Sequence, residues 1–240
     1  MSHLKRLTAP MAWQIAKKEN TFITRTSPGP HNAAAMPIGV WLRDGMGLAR
    51  NMKEVKRILH QRDVIVNGKP VTDSKIGLGI FDIISIPKMD KHYRILIDKR
   101  GHQVSVEIDA EAAKTRLCKI RNKTIIKGGK VQLNLNYGAN VLADNTYKPK
   151  DSVVLTIGEG EERFKIVDHF PFAVGNMAMV IGGKHSGRIG SITEIKTVPG
   201  SIPNRVILED ENKESFETIE EYIFMIGREA SSTTEWGIEA

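Results

Sequence analysis

The chain has 240 residues, of which 40% are hydrophobic and 26% are charged, and this hydrophobic content excludes an intrinsically disordered chain. The net charge is +7, but residues 1–130 hold 25 of the 35 Lys and Arg residues and only 11 of the 28 acidic residues. Residues 131–240 are therefore net negative. An ordinary basic soluble protein would not need such segregation, so the first half is expected to face a polyanion.

No apolar run approaches the roughly 18 residues that a membrane helix needs, and the first residues lack the apolar stretch of a secretory signal. The single cysteine, Cys118, excludes an internal disulfide and a cysteine-cluster metal site, and a lone cysteine most often has an inert packing role. We therefore expect a cytoplasmic protein that uses no membrane, no metal and no cofactor.

Residues 1–36 show no sustained apolar periodicity and predict a basic N-terminal extension. A short helix is predicted around Pro10–Glu19, because proline suits the first helical turn, and Thr26–Met36 is predicted as an extended loop. Such a segment buries little by itself, so we expect it to order against a partner, with a flexible tail as the alternative. Its candidate phosphate-binding residues are Lys5, Arg6, Lys17, Lys18 and Arg25.

A first helix is indicated by the spacing of Ile38 and Trp41, and a second is predicted from Met52 to Gln61. Asn51 is a suitable N-cap, because its side chain can accept hydrogen bonds from the free N–H groups of the first turn. Glu54 follows three residues later, as in a capping box. One face of this second helix is apolar and consists of Val55, Ile58 and Leu59.

The opposite face of the second helix carries basic residues at i, i+3, i+4 and i+7 spacing. This basic stripe consists of Lys53, Lys56, Arg57 and His60. An ordinary solvated face mixes both signs of charge, whereas Glu54 is the only acid between Lys53 and Arg62 and is explained as a cap. The stripe therefore predicts contacts with phosphates, extended by the nearby cations Arg43, Arg50, Arg62 and Lys69.

Short strands follow this helix. Val64–Val66 and Pro70–Thr72 flank Asn67-Gly68, the strongest short signal for a two-residue hairpin turn, since such a turn needs positive φ at both positions. Further strands are predicted at Ile80–Ile86, Tyr93–Asp98 and Val104–Ile108. The order is helix, helix, strand, turn, strand, loop and strand.

The remainder is predicted to be largely β. Asp109 is expected to cap one short helix that extends through Cys118. Three hairpins are then predicted, namely Thr124–Ile126 with Val131–Leu135, Ser152–Ile157 with Arg163–Asp168, and Arg205–Glu209 with Glu214–Thr218. Short strands at this spacing are typical of small barrels.

Between Met177 and Ile192 the pattern predicts a strand, a glycine-punctuated loop and a second strand. Three residues of the loop are candidate RNA contacts, because glycine allows the backbone to approach phosphates closely: Lys184, His185 and Arg188. A turn-rich connection between strands is the alternative. The loop is not a nucleotide-binding P-loop, since Ala178 and His185 stand where that motif needs Gly and Ser or Thr.

Catalytic motifs are not found. The seven histidines show no metal-ligand spacing, and there is no Gly-x-Ser-x-Gly elbow. The sequence therefore predicts neither a metal centre nor a small-molecule substrate.

Three sets of residues resemble known families. The order of elements from Ala49 through Ile86, which includes Val64–Lys69, resembles the S-four type RNA-binding domain, and Val180–Ile192 resembles the KOW motif. The opening, His3-Leu4-Lys5-Arg6-Leu7 with Pro10 and Trp13 and then Pro28-Gly29-Pro30-His31, resembles small-subunit ribosomal protein four of the eukaryotic and archaeal type. The compact ending is nearer the archaeal branch.

This resemblance implies an α+β multidomain protein. Its parts would be a basic N-terminal extension (1–36), a small S-four type α/β RNA-binding domain (37–104, core 43–89), a central β-barrel-like domain (105–170), a C-terminal KOW, SH3-like β domain (171–226) and a tail (227–240). It implies a non-enzymatic structural constituent of the small ribosomal subunit. Its partners would be small-subunit rRNA, facing the basic stripe, and neighbouring small-subunit proteins. The acidic Glu209–Glu221 segment is expected to face solvent or such a neighbour.

Two alternatives remain open. S-four type domains also occur in RNA-modifying enzymes, but these need a catalytic domain, and residues 90–170 are too few and too β-rich to supply one. A transcription or elongation factor would use the KOW segment to bind protein. The basic N-terminal extension argues against this second alternative.

Overall fold

The structure, a computed structural model, describes residues 3–29, 31, 35–158, 163–228 and 236. The chain forms two units with separate hydrophobic cores. The first unit is Met1–Leu96 with His102–Ala113, and the second is Ile97–Gly101 with Lys114–Ala240. Across the described ranges, no helix is both long enough and apolar enough to cross a membrane.

The helices of the first unit are α1 (Ile38–Val40), which continues as a π-helix over Trp41–Gly45, and α2 (Met52–His60). Its strands are β1 (Leu4–Lys5), β2 (Phe22–Ile23), β3 (Met36–Pro37), β4 (Ile65–Val66), β5 (Lys69–Pro70), β6 (Gly77–Leu78), β7 (Ile83–Ile86), β8 (Lys91–Ile97) and β9 (Gln103–Ile108). Five of them form a sheet in the order β5-β4-β7-β8-β9, while β1 pairs with β2 and β3 pairs with β6.

The N-terminal segment packs onto the same hydrophobic core as α2. Trp13 and Ile23 are both buried in that core. The predicted helix around Pro10–Glu19 is wrong, because only Met11–Trp13 forms a 3-10 turn, and Gln14 leaves it in a left-handed conformation with φ of 49°. The segment thus orders against the rest of its own unit, through large apolar side chains too widely spaced to give a periodic signal.

The Asn67-Gly68 turn is confirmed, with φ of 49° and 75° at its two residues. The Asn67 side chain also stabilises the interior. Its amide donates to Asp82 Oδ1 at 2.9 Å, and its Oδ1 accepts from the backbone N–H of Ile83 at 3.0 Å. Asp82 has no exposed surface, and its other oxygen accepts from the backbone N–H of Gly79 at 2.7 Å. A turn residue therefore satisfies a buried carboxylate.

The second unit contains two five-stranded antiparallel sheets. Their strands are β10 (Thr115–Ile125), β11 (Val131–Leu135), β12 (Asn140–Ala143), β13 (Ser152–Ile157), β14 (Arg163–Phe170), β15 (Met177–Val180), β16 (Ile189–Lys196), β17 (Arg205–Glu209), β18 (Ser215–Ile219) and β19 (Ile223–Gly227). The strand orders are β12-β11-β10-β13-β14 and β18-β17-β16-β15-β19. All three predicted hairpins are present within the described residues.

The helix predicted from Asp109 through Cys118 is wrong. Only Ala112–Lys114 forms a 3-10 turn, and β10 begins at Thr115. This strand lies at the centre of its sheet, and residues 116–120 are buried on both faces, so they lack the alternation that identifies a half-buried strand. Cys118 is buried among apolar side chains, as expected for a packing role.

Lys119 of β10 joins the two sheets of the second unit. Its buried ammonium donates hydrogen bonds to the backbone carbonyls of Glu220 at 3.3 Å and Glu221 at 3.1 Å, and also to that of Ile223. Burial lowers the pKa of Lys119 to about 8, and the nearby Glu220 carboxylate partly opposes this shift. Glu220 in turn pairs with Lys150. This basic residue therefore has a structural role.

We expect Asn67→Ala to lower the free energy of unfolding of the first unit by about 2–4 kcal/mol, because it leaves the buried Asp82 carboxylate and the Ile83 N–H without these partners. Urea unfolding followed by tryptophan fluorescence measures this, since Trp13 and Trp41 are buried in that unit. Asn20→Ala, at an exposed position, is the matched control and should change stability by less than about 0.5 kcal/mol. Equal effects of the two substitutions would contradict the role given to Asn67.

Candidate RNA-binding surface

Helix α2 begins with the predicted cap. Asn51 Oδ1 accepts the backbone N–H groups of Lys53 and Glu54, both at 3.0 Å. The Glu54 carboxylate accepts from the backbone N–H of Arg50 at 2.8 Å and from the Asn51 side-chain amide at 3.1 Å. The reciprocal bond thus reaches one residue earlier than in the usual capping box. Glu54 is occupied as a cap, which leaves the basic stripe without an acid of its own helix to pair with.

All four residues of the basic stripe are exposed: Lys53, Lys56, Arg57 and His60. On the opposite side of α2, Val55 and Leu59 are fully buried, which fixes the rotation of the helix about its axis. Among the described residues, none of the stripe side chains forms an ion pair, so their charges face solvent. Arg57 and His60 also lie in the last turn, where the helix dipole favours cations.

Arg62 follows the end of α2 in a left-handed conformation with φ of 58°. Its N–H donates to the carbonyl of Leu59 at 2.9 Å, and the N–H of Asp63 donates to that of Ile58 at 3.4 Å, which is a Schellman motif. Glycine usually occupies this position, because a side chain there costs about 1 kcal/mol. The chain instead places an exposed arginine next to the stripe.

The flanking cations differ in how available they are. Arg50 and Lys69 are exposed, and neither forms an ion pair within the described part of the chain. Arg43 is half-buried, and its guanidinium donates two hydrogen bonds to the Asp44 carboxylate at 2.8 and 3.3 Å. The structure therefore groups Arg50, Arg62 and Lys69 with the stripe residues as exposed cations and gives Arg43 an internal partner.

The N-terminal cations are also divided. Lys5, Lys18 and Arg25 are exposed, whereas Lys17 is half-buried and donates to the Ala9 carbonyl at 3.1 Å. Arg6 is 1% exposed, which does not fit the expected phosphate contact. Its guanidinium donates to the Ala16 carbonyl and the carboxylates of Glu19 and Asp44, so Arg6 holds the N-terminal segment together.

The glycines of the loop between β15 and β16 serve the fold of this chain. A Cβ at Gly187 would lie 2.2 Å from the backbone oxygen of Asp98, and one at Gly182 would lie 2.9 Å from the ring of Tyr222. The space beside these glycines, which was predicted to allow close approach of phosphates, is therefore filled by other parts of the second unit. The alternative prediction, a turn-rich connection between strands, describes these glycines better.

Only one of the three basic residues predicted in this loop is exposed, namely Lys184. His185 is half-buried with its ring 5.2 Å from that of Phe216. Arg188 donates to the carboxylates of Asp210 at 3.2 Å and Glu214 at 3.1 Å, and its guanidinium lies over the Phe216 ring. Arg188 thus neutralises part of the acidic segment, which leaves Lys184 as the candidate contact of this loop.

The contacts predicted from the sequence did not include three exposed cations on the hairpin formed by β10 and β11, namely Arg121, Lys127 and Lys130. A signal was available, since residues 112–143 contain no acid. Within the described ranges, no group of three or more His, Cys, Asp or Glu side chains is placed to hold a metal ion.

An exposed stripe of cations without ion-pair partners among the described residues, on a small and partly helical unit, is the electrostatic footprint expected of the nucleic-acid-binding class of proteins. A sequence profile described as "Ribosomal family S4e" matches residues 89–162, and one described as "RS4NT (NUC023) domain" matches residues 2–34.

Curated relatives extend this similarity over the whole chain. "Small ribosomal subunit protein eS4" of Methanospirillum hungatei is 59% identical over 99% of this chain and 98% of its own length. The protein of the same name from Archaeoglobus fulgidus is 43% identical over 95% and 94%. The crystal structure of the 30S ribosomal protein S4e from Thermoplasma acidophilum covers 80% of this chain and 95% of its own, with a TM-score of 0.67 and 28% identity. The chain therefore belongs to the ribosomal protein S4e family, as the sequence predicted.

We expect Arg62→Gly to raise the free energy of unfolding by about 0.5–1 kcal/mol, because glycine relieves the left-handed strain. The same change should weaken RNA binding, because it removes an exposed cation beside the stripe. Urea unfolding and RNA titration of one preparation measure both effects. Arg50→Gly is the matched control, since it removes an exposed cation where φ is not positive, and it should weaken binding without stabilising the fold. Unchanged RNA affinity of Arg62→Gly would remove Arg62 from the binding surface.

Proposed function

We propose that this chain is a non-enzymatic structural constituent of the small ribosomal subunit that supports translation in the cytoplasm. The basic stripe on α2 is its primary contact with small-subunit rRNA. The family supports the assembly, since the relatives carry the name of a small ribosomal subunit protein. The observation that carries the RNA contact is the exposure of four stripe residues with no ion-pair partner among the described residues.

The stripe suits phosphates better than bases. Its residues repeat about every turn of the helix, roughly 5.4 Å along the axis, and Lys side chains act as mobile point charges that do not read base edges. Such contacts fix the protein on folded RNA by shape and backbone charge. They release counterions, so affinity should fall steeply with salt. Lysine and arginine are the permanent cations of the stripe, so Lys53, Lys56 and Arg57 carry most of the attraction.

We infer that the first unit contains an S-four type RNA-binding domain and that the second ends in a KOW, SH3-like domain. For the first, the support is the order of α1, α2 and the strands flanking Asn67-Gly68. For the second, it is the strand-loop-strand element formed by β15 and β16 within a five-stranded antiparallel sheet.

We also propose that the acidic segment Glu209–Glu221 faces a basic neighbouring protein of the small subunit. Glu211 and Glu217 are exposed, and repulsion from phosphates disfavours contact with RNA. Arg188 already pairs with Asp210 and Glu214, which reduces the repulsion inside the segment.

Charge reversal tests the stripe. The variant Lys53→Glu/Lys56→Glu/Arg57→Glu should bind small-subunit rRNA at least about tenfold more weakly, and the slope of log affinity against log salt should become shallower by about 3, because three phosphate contacts are lost. Filter binding of the full chain at several salt concentrations measures both quantities.

The control reverses three exposed cations of the second unit, Lys165→Glu/Lys196→Glu/Lys213→Glu, which gives the same change in net charge. It should lose much less affinity. Circular dichroism should show that both variants are folded, since none of the six side chains is buried. If the two variants bind with equal affinity, the stripe is not the primary contact.

A further inference from the structure

The hairpin of β10 and β11 belongs to the longest stretch of the chain without an acid. Residues 112–143 contain no Asp or Glu and seven Lys and Arg residues. Arg116 and Lys119 are buried. Three others are exposed on the hairpin and form no ion pair with any described residue, namely Arg121, Lys127 and Lys130. The hairpin therefore presents positive charge to solvent, at the end of the basic half of the chain and immediately before the net negative residues 131–240.

The tip of this hairpin is exposed to solvent. Gly128 and Gly129 have φ of 89° and 73°, and a Cβ at either would meet no atom within 4 Å. Lys127 and Lys130 flank this pair. Ile125, at the base of the tip, is 80% exposed.

Beside the tip, β10, β11 and β12 expose a face lined with uncharged amides. Asn122 lies opposite Asn134, and Thr124 lies opposite Gln132. The Gln132 amide donates to Asn134 Oδ1 at 2.7 Å, and the Asn134 amide donates to Asn122 Oδ1 at 2.7 Å. This amide chain leaves Gln132 Oε1 as an acceptor and Asn122 Nδ2 as a donor, with no partner among the described residues. The side chains that alternate with these, including Leu133, point into the core.

We propose that this face and the hairpin tip form a second RNA-binding surface, which takes the minor groove of double-helical RNA. The inference rests on the proposed function, in which the partner is rRNA. The minor groove of an RNA helix is wide and shallow, and its 2′-hydroxyl groups both donate and accept hydrogen bonds. The oriented amides match these groups, whereas the deep and narrow major groove excludes a sheet.

The geometry matches the groove and its edges. Three strands about 4.8 Å apart give a face about 10 Å wide, which fits a shallow groove. Lys127 and Lys130 lie about 10 Å or more beyond the Asn122–Asn134 pair, because three residues of strand span about that length. The tip can therefore reach phosphates at the groove edge while the amides contact riboses. Leu142, opposite Gln132 and 56% exposed, adds an apolar contact for a sugar.

A protein partner fits these observations less well. Charge complementarity would require an acidic partner, and a protein surface would be expected to bury Ile125 and Leu142 as part of one apolar patch. The register places Leu142 opposite Gln132 on the amide face, whereas Ile125 alternates with Thr124 and lies on the other face of the hairpin. The two exposed apolar residues therefore do not form one patch.

Hydroxyl-radical footprinting of a small-subunit rRNA transcript bound to the full chain tests this inference, because the reagent reports exposure of each ribose. Two double variants are compared with the unaltered chain. Gln132→Glu/Asn134→Asp keeps the shape of the amides but adds negative charge, and Lys127→Glu/Lys130→Glu reverses the tip. Lys165→Glu/Lys196→Glu is the charge-matched control for the tip variant, and Gln132→Met replaces the amide variant if that variant fails to fold.

Both double variants should lose protection of riboses on the two strands of one RNA helix, and their affinity should fall about tenfold. Nucleotides whose protection depends on Lys53, Lys56 and Arg57 should stay protected. Three outcomes would each overturn the minor-groove assignment. These are unchanged footprints, a loss of protection confined to single-stranded nucleotides, and an effect of the tip variant alone. If the variants bind RNA normally but fail to join a neighbouring protein, the surface binds protein and the inference is wrong. If the unaltered chain binds no rRNA, the proposed function fails, and this inference fails with it.

Discussion

The burial of Val55 and Leu59 is the constraint on which the proposed RNA-binding surface depends. Both side chains are fully buried in the core of the first unit, so α2 can adopt only one rotation about its axis. The 3.6-residue period of the helix then directs Lys53, Lys56 and Arg57 into solvent. The Asn51 cap and the Schellman motif at Arg62 fix the two ends of the same helix. The position of the charges is therefore determined by packing, before any RNA is bound.

Burial also divides the basic residues of this chain into two groups. Arg6, Lys119 and Arg188 each have protein partners. Arg6 donates to a carbonyl of the N-terminal segment, Lys119 joins the two sheets of the second unit, and Arg188 pairs with the acidic segment. Each is a cation that net charge alone would assign to RNA. Transferring such a group from water is costly unless it is hydrogen-bonded, which explains why the buried Arg6 and Lys119 have several acceptors. The exposed residues of the stripe and of the β10–β11 hairpin lack such partners and remain available for phosphates.

The sequence predicted those parts in which a local rule is strong. The cap at Asn51, the two faces of α2 and the Asn67-Gly68 turn each depend on a few adjacent residues, and all three are confirmed. The errors fall where a distant contact decides the outcome. Trp13 packs in a core formed by residues far along the chain, and residues 116–120 of β10 are buried on both faces, so neither segment shows the expected periodicity. The role of the glycines in the loop between β15 and β16 depends on a residue far away in the sequence. The ring of Tyr222 fills the space beside Gly182, and because the two residues are 40 positions apart, this contact could not be predicted.

The central claim is that unpaired surface cations, led by the basic stripe, bind rRNA by electrostatic attraction to phosphates. The affinity of the full chain for small-subunit rRNA, measured across salt concentrations, tests this claim most directly. With at least four phosphate contacts, log affinity should fall against log salt with a slope of about −3 or steeper. An affinity that stays flat across the same range of salt would contradict the account.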